Sequence, residues 1–225
     1  MNILALDTST EACSAAIWTD GAVTERFESG NQHSGRILAM VDELLAESGF
    51  VLARFDAIAF GRGPGSFTGL RIGAGVAQGL AFGADIPVAP ISSLAALAQG
   101  VDAPRVLAAF DARMNQVYSG VYVRNAQGIV ELAGIESVTA PSDIPLPEGN
   151  NWLGAGNGWD LHHAALLQRL GGRVTDWRKQ VHPRARDVAQ LGAVAVQAGK
   201  AIAAEQALPV YVRDDVAAKQ ARSKT

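Results

Sequence analysis

The run Gly61-Arg62-Gly63-Pro64-Gly65-Ser66-Phe67-Thr68-Gly69-Leu70-Arg71-Ile72-Gly73 constrains this chain more than any other segment. It follows a short apolar run at residues 57–60 that reads as a buried strand, and it leads into residues that read as a helix over 68–82, ending near Gly83. Such a joint does one of two things. Free amides at the helix N-terminus can cradle an anion, with Ser66 or Thr68 as the capping oxygen. Alternatively, the missing side chains let two backbones nearly touch. The run lacks the lysine and spacing of a P-loop, and Ser66 stands where a dinucleotide fingerprint has its third glycine, so a phosphate role is weakly specified. Gly69 and Gly73 are four apart, and so are Gly75, Gly79 and Gly83. Each interior glycine costs a helix roughly 0.8–1 kcal/mol relative to alanine. Close packing on one ridge must offset that cost, either against the chain's own sheet or against a helix of another molecule.

The organisation around this run is α/β. Residues 2–6, 13–18 and 23–27 read as strands with an Asp20-Gly21 hairpin signal, giving an antiparallel start. Ile37, Leu38, Val41, Leu44 and Leu45 recur at helical spacing before Gly49, predicting a helix over 34–48. In the second half, strands are expected at 105–110, 116–123, 129–138 and from Trp152, with helices at 92–99, 160–170 and 186–204. The element order repeats, which divides the chain into residues 1–103 and a smaller half at 104–225, with the last helix free to pack back on the first half. Asp7-Thr8-Ser9 and Asp111-Ala112-Arg113 end the first strand of each half, and are expected to face each other across a cleft. Each has two readings. Asp7, Thr8 and Ser9 form a local turn or position a metal-bound phosphate, and Asp111 with Arg113 forms a local ion pair or a catalytic group.

Composition narrows the function. With 48% hydrophobic residues in 225, the chain can bury a real core without staples. The single Cys13 cannot form an internal disulfide; it is expected to be buried and inert in a reducing compartment, and a cytoplasmic location follows. No stretch reads as membrane-spanning. A formal net charge of −3 argues against strong nucleic-acid binding by the chain alone. Arg169, Arg173, Arg178, Lys179, Arg184 and Arg186 gather in one region, as a solvated face or an RNA-facing patch. His33, His162, His163 and His182 lack metal-ligand spacing, although His33 can line a cleft or interface. No metal site, G-x-S-x-G elbow or cysteine nucleophile is expected.

Together, Ile3-Leu4-Ala5-Leu6-Asp7-Thr8-Ser9, the segment from His33 to Leu45, the glycine run, Ser92-Ser93-Leu94, Asp111-Ala112-Arg113 with Val117-Tyr118, and Pro209-Val210-Tyr211-Val212-Arg213 resemble the bacterial TsaB (YeaZ) family. The resemblance implies an actin, Hsp70 and sugar-kinase-like (ASKHA) fold of two ribonuclease-H-like halves with mixed sheets, the second reduced. It implies a role in forming threonylcarbamoyladenosine beside the anticodon of tRNAs that read codons beginning with adenine. TsaD, the catalytic relative, carries a metal-binding histidine pair, and aligned here those positions are Ser93 and Leu97. The resemblance therefore implies a non-catalytic subunit that pairs with TsaD, engages the ATPase TsaE, forms a homodimer when TsaD is absent, and meets tRNA only within the complex. Its interface would use the first two helices, with His33, Ile37, Met40, Val41, Leu44, Gly69, Ile72, Gly73, Gly75, Val76 and Gly79. No cofactor is required, while a weak ATP or ADP site at the subunit interface would draw on Asp7, Thr8, Ser9, Thr10, Gly154 and Gly156. The rival readings are an ATP-dependent phosphotransferase using Asp7 and Asp111, and a partner-specific peptidase.

Overall fold

The computed structural model describes residues 1–30 and 33–212, with the side chains of His33 and Ser34 outside that description. The chain forms two compact units: Met1–Ala96 with Pro183–Val210, and Leu97–His182 with Tyr211 and Val212. The division falls at 96/97 rather than 103/104, and residues 183–210 belong to the first unit, so the described residues 104–212 divide between the two units.

Unit 1 is built on β1 (Asn2–Asp7), β2 (Ala12–Thr19), β3 (Ala22–Ser29), β4 (Ala57–Gly63) and β5 (Val88–Ser92) in the order β3-β2-β1-β4-β5. The first three strands are antiparallel, and β4 and β5 run parallel to β1. Strand β1 reads as a continuous apolar run because both of its faces are covered. Leu4, Leu6, Ile58 and Phe60 bury against α1 (His33–Ser48) and α2 (Phe67–Ala84). On the other face lies α5 (Ala185–Gln197), which contacts β1, β2 and β4. Gly192 permits this approach, since a methyl there would stand 2.6 Å from Ala59 Cβ. Helix α5 ends before Gly199, whose φ of +68° stops it short of the expected residue 204.

Unit 2 repeats the plan. Strands β6 (Arg105–Asp111), β7 (Val117–Arg124), β8 (Val130–Leu132), β10 (Trp152–Ala155) and β11 (Val174–Arg178) take the order β11-β10-β6-β7-β8, while β9 (Ser137–Thr139) pairs with β7. Helix α4 (Asn157–Leu170) buries Trp159, Leu166 and Leu170 against Leu107, Ala109, Val117 and Trp152. The buried Trp159 indole donates to Leu107 O at 2.9 Å. Two sheets with the same strand order and directions are the structural form of the repeated element order.

Helix α3 (Ser93–Gln99) ends on a non-local cap. Arg124 donates through Nη2 to Ala98 O, Gln99 O and Val101 O at 3.2, 3.1 and 2.8 Å, and through Nη1 to Gly128 O at 2.6 Å. These carbonyls include helix-terminal acceptors without intrahelical partners. Arg124→Met should therefore cost about 3 kcal/mol in urea unfolding, the scale of charge-assisted hydrogen bonds lost with their acceptors left behind. A change within about 0.5 kcal/mol would show that water replaces the guanidinium.

Candidate functional site

The glycine run resolves into two sets facing opposite ways. Glycines at 65, 69 and 73 are spent inside unit 1, on the turn after β1. A methyl on Gly69 would fall on Thr8 O, one on Gly65 on Ser9 O, and one on Gly73 at 2.5 Å from Thr8 Oγ1. Hydrogen bonds hold this seam closed: Ser66 N donates to Ser9 O at 2.7 Å, and Thr8 Oγ1 donates to Gly69 O at 2.7 Å. Ser66 caps α2 by accepting from Gly69 N at 3.4 Å. The joint thus brings two backbones together, and the amides of Ser66 and Gly69 already have acceptors.

Gly75, Gly79 and Gly83 have nothing within 4 Å of where a methyl would stand. They lie on the exposed side of α2 with Phe67 (56% exposed) and Phe82 (76% exposed). Arg71 sits over the Phe67 ring at 3.7 Å. Leu38 of α1, 47% exposed, adds to the apolar character of the outer helical surface. The expected interface is corrected in part: Ile37, Met40, Val41 and Leu44 are fully buried in the core of unit 1, and Gly69 and Gly73 pack on Thr8. These residues recur at helical spacing because they face the sheet. Ile72 and Val76 are half-buried against the same core, and Gly75 and Gly79 lie at the surface. The His33 side chain lies outside the described residues.

Asp7 ends β1 with its side chain buried. Its Oδ1 accepts from Ser9 N at 2.9 Å and Ser9 Oγ at 2.8 Å, while Oδ2 is buried with no hydrogen-bond partner. A methyl on Gly61 would collide with that oxygen and lie 3.2 Å from Ser93 Oγ. Burial pushes the Asp7 carboxyl up to about 6, against the opposing pull of the two Ser9 hydrogen bonds. The Ser9 hydroxyl is committed within the turn, to Asp7 Oδ1, and the Thr8 hydroxyl to Gly69 O of α2, so the local-turn reading describes Asp7 and Ser9 while Thr8 fastens the turn to the helix.

The other sequence candidates fall in unit 2 or have structural partners. Asp111 lies 3.3 Å from His162 Nε2 and 3.4 Å from Arg113 Nη1, which is the local ion-pair reading. Gly154 makes room for the Trp159 indole, and Gly156, at φ +102°, packs on Ala109 O, so internal packing accounts for both glycines named for nucleotide. Asp7, Thr8, Ser9 and Thr10 belong to unit 1 and these glycines to unit 2. Cys13 is buried and its thiol is pushed up to about 11, chiefly by burial, which leaves it a poor nucleophile. Among the described residues no group of three or more His, Cys, Asp or Glu is placed to hold a metal ion, and no helix is long and apolar enough to cross a membrane. The expected basic patch divides: Arg184 pairs with Glu25 at 2.6 Å in unit 1, while Arg178 lies 3.8 Å from Asp176 on β11 in unit 2.

The comparisons with known proteins agree with this geometry. A family model described as "TsaD: tRNA N6-adenosine threonylcarbamoyltransferase" matches residues 27–221. The chain is 42% identical to the tRNA threonylcarbamoyladenosine biosynthesis protein TsaB of Escherichia coli K12, with 100% of both chains covered. It is 36% identical to the Bacillus subtilis protein of the same name, covering 85% of this chain and 87% of that one. Among solved structures, YeaZ from Pseudomonas aeruginosa superposes with a TM-score of 0.86 at 45% identity, covering 93% of this chain and 99% of that one. An ROK hexokinase from Thermus thermophilus, at TM-score 0.50 and 14% identity, covers 87% of this chain and 100% of that one, and is similar in fold alone. The fold is that of the actin, Hsp70 and sugar-kinase group. Full-length identity to curated relatives, added to the glycine run and the doubled sheet, shows that this chain belongs to the TsaB (YeaZ) family of tRNA threonylcarbamoyladenosine biosynthesis proteins.

Proposed function

We propose that this chain is a non-catalytic subunit that presents the outer surface of α2, with neighbouring residues of α1, to a TsaD-type partner. The observation carrying this reading is the open set Gly75, Gly79 and Gly83, whose helix penalty nothing within unit 1 offsets. Glycines four apart on an exposed ridge allow a partner helix to approach closely, and Phe82 and Leu38 supply apolar area that such a contact would bury. When TsaD is absent, the same surface can pair two copies of the chain. TsaE and tRNA would then join through the assembled complex. The reading needs no cofactor, and it treats weak ATP or ADP binding as an accessory property of the assembly.

Co-expression with TsaD from the same source, followed by sizing, tests the proposal. The unaltered chain should elute with TsaD, and Phe82→Glu should elute alone while retaining its melting temperature. Continued co-elution of Phe82→Glu would contradict the assignment of the surface. Magnesium-dependent ATP turnover by the purified chain, lost on Asp7→Asn, would instead support the phosphotransferase reading.

A further inference from the structure

Unit 2 contains a concavity that the doubled fold and the partner surface do not use. It has a volume of about 650 Å³, within the range typical of small-molecule sites. One wall is the β6–β7 sheet surface at Leu107, Val121 and Val123. The β8–β9 connection supplies Ile135, the segment before β10 supplies Leu146, and β10 itself supplies Trp152. The walls are tied in place: Ala133 N donates to Val121 O at 2.8 Å, Arg169 Nε to Ile144 O at 3.1 Å, and Trp152 Nε1 to Glu148 O at 3.1 Å.

The polar groups are few and lie toward the ends. Ser119 and Ser137, with hydroxyls 3.3 Å apart, lie toward one end, and Arg105 pairs across from Val123 toward the other. Four residue steps along β7 separate Ser119 from Val123, roughly 13 Å of antiparallel strand. Among the described residues, Arg105 is the only cationic side chain lining the concavity, and Glu148 the only acidic one. The guanidinium stands 5.7 Å from the Trp152 ring centroid and donates through Nη1 to Asn150 O at 3.0 Å. That geometry orients the guanidinium while using one of its five N–H donors. Ile135 (67% exposed) and Leu146 (43% exposed) add apolar surface facing solvent.

We propose that this concavity binds a small amphiphile with an apolar body and a carboxylate head, the head meeting Arg105 and the body lying along Val121, Ile135 and Leu146. The charge assignment follows from Arg105 and its remaining donors, and the body from the apolar walls. This site is independent of the α2 surface.

The test uses the full chain with the fluorescent probe 8-anilinonaphthalene-1-sulfonate, then octanoate and 1-octanol as competitors. The probe should bind saturably at one site, octanoate should displace it, and 1-octanol should require at least tenfold higher concentration. Ile135→Glu and Leu146→Glu should each abolish probe binding. Val51→Glu, which alters a 62% exposed residue of unit 1, should leave it unchanged. Arg105→Gln should weaken octanoate at least tenfold, with circular dichroism confirming the fold. Probe binding that survives both Ile135→Glu and Leu146→Glu would overturn the location, and equal displacement by octanoate and 1-octanol would overturn the carboxylate assignment.

Discussion

Gly69→Ala is expected to destabilise this protein by about 3 kcal/mol, at the upper end of ordinary overpacking, whereas Gly75→Ala and Gly79→Ala should each stabilise the isolated chain by roughly 0.8–1 kcal/mol. The chemical change is identical, and only the surroundings differ. At Gly69 the added methyl lands on the carbonyl oxygen of Thr8, which is backbone and cannot rotate away. Gly73→Ala should be intermediate, because its methyl meets the Thr8 hydroxyl at 2.5 Å and that rotor can move only by surrendering its bond to Gly69 O. At Gly75 and Gly79 the methyl enters open space, so relief of the glycine backbone penalty is all that registers. Urea unfolding of the four single variants would separate the sets. Equal effects at Gly69 and Gly75 would show that the run is not divided between internal seam and open surface.

Asp7→Asn should raise stability at pH 8 by about 2 kcal/mol and remove a pH dependence that the native chain shows between about pH 4 and pH 6. Burial lifts the Asp7 carboxyl from 3.8 to about 6, a difference of roughly 2 pH units or about 3 kcal/mol. In that window the folded chain still holds the proton that the unfolded chain has released, so rising pH favours unfolding. The contribution is fully favourable below the unfolded value and is lost as pH climbs through the folded one. Asparagine keeps an acceptor for Ser9 N and Ser9 Oγ while removing the buried charge, at the cost of placing an amide where Oδ2 now lacks a partner. Thermal melts of both proteins from pH 4 to pH 8 would show the curves diverging upward. Parallel curves would mean that Asp7 stays ionised without penalty.

Much of the framework was legible because it is written in local patterns. The three antiparallel strands, the amphipathic α1 and the strand-glycine-helix joint all follow from periodicity and turn residues within short windows. Strand β5 has no clear sequence signal because Pro90 lies within it; β5 lies at the sheet edge, where a missing amide is tolerated. Strand β11 was hidden because Arg173, Arg178 and Lys179 read as a basic patch, and its pairing with β10 is non-local. The Arg124 cap has no local signal at all, since its acceptors lie far back in the chain.

The candidate surface was legible only in part, for a definite reason. Helical spacing identifies one face of α1 but cannot say whether that face meets a sheet or another molecule, and Ile37, Met40, Val41 and Leu44 meet the sheet. Glycine spacing shows that something approaches α2 but not from which side, and the side changes between Gly73 and Gly75. One helix position is a rotation of about 100°, so adjacent sequence signals report opposite environments. A pairing of Trp159 with Gly154 could have been suspected from a large ring near a residue without a side chain, and it explains that glycine without any ligand.

The central claim, that the open glycine ridge of α2 receives a partner helix, is tested most directly by titrating purified TsaD into the chain carrying Gly79→Leu and measuring the dissociation constant by calorimetry. At least a hundredfold weakening relative to the unaltered chain is expected, with the variant's own melting temperature unchanged or raised. An unchanged dissociation constant would place the partner elsewhere on the chain and rule out the glycine ridge of α2 as its seat.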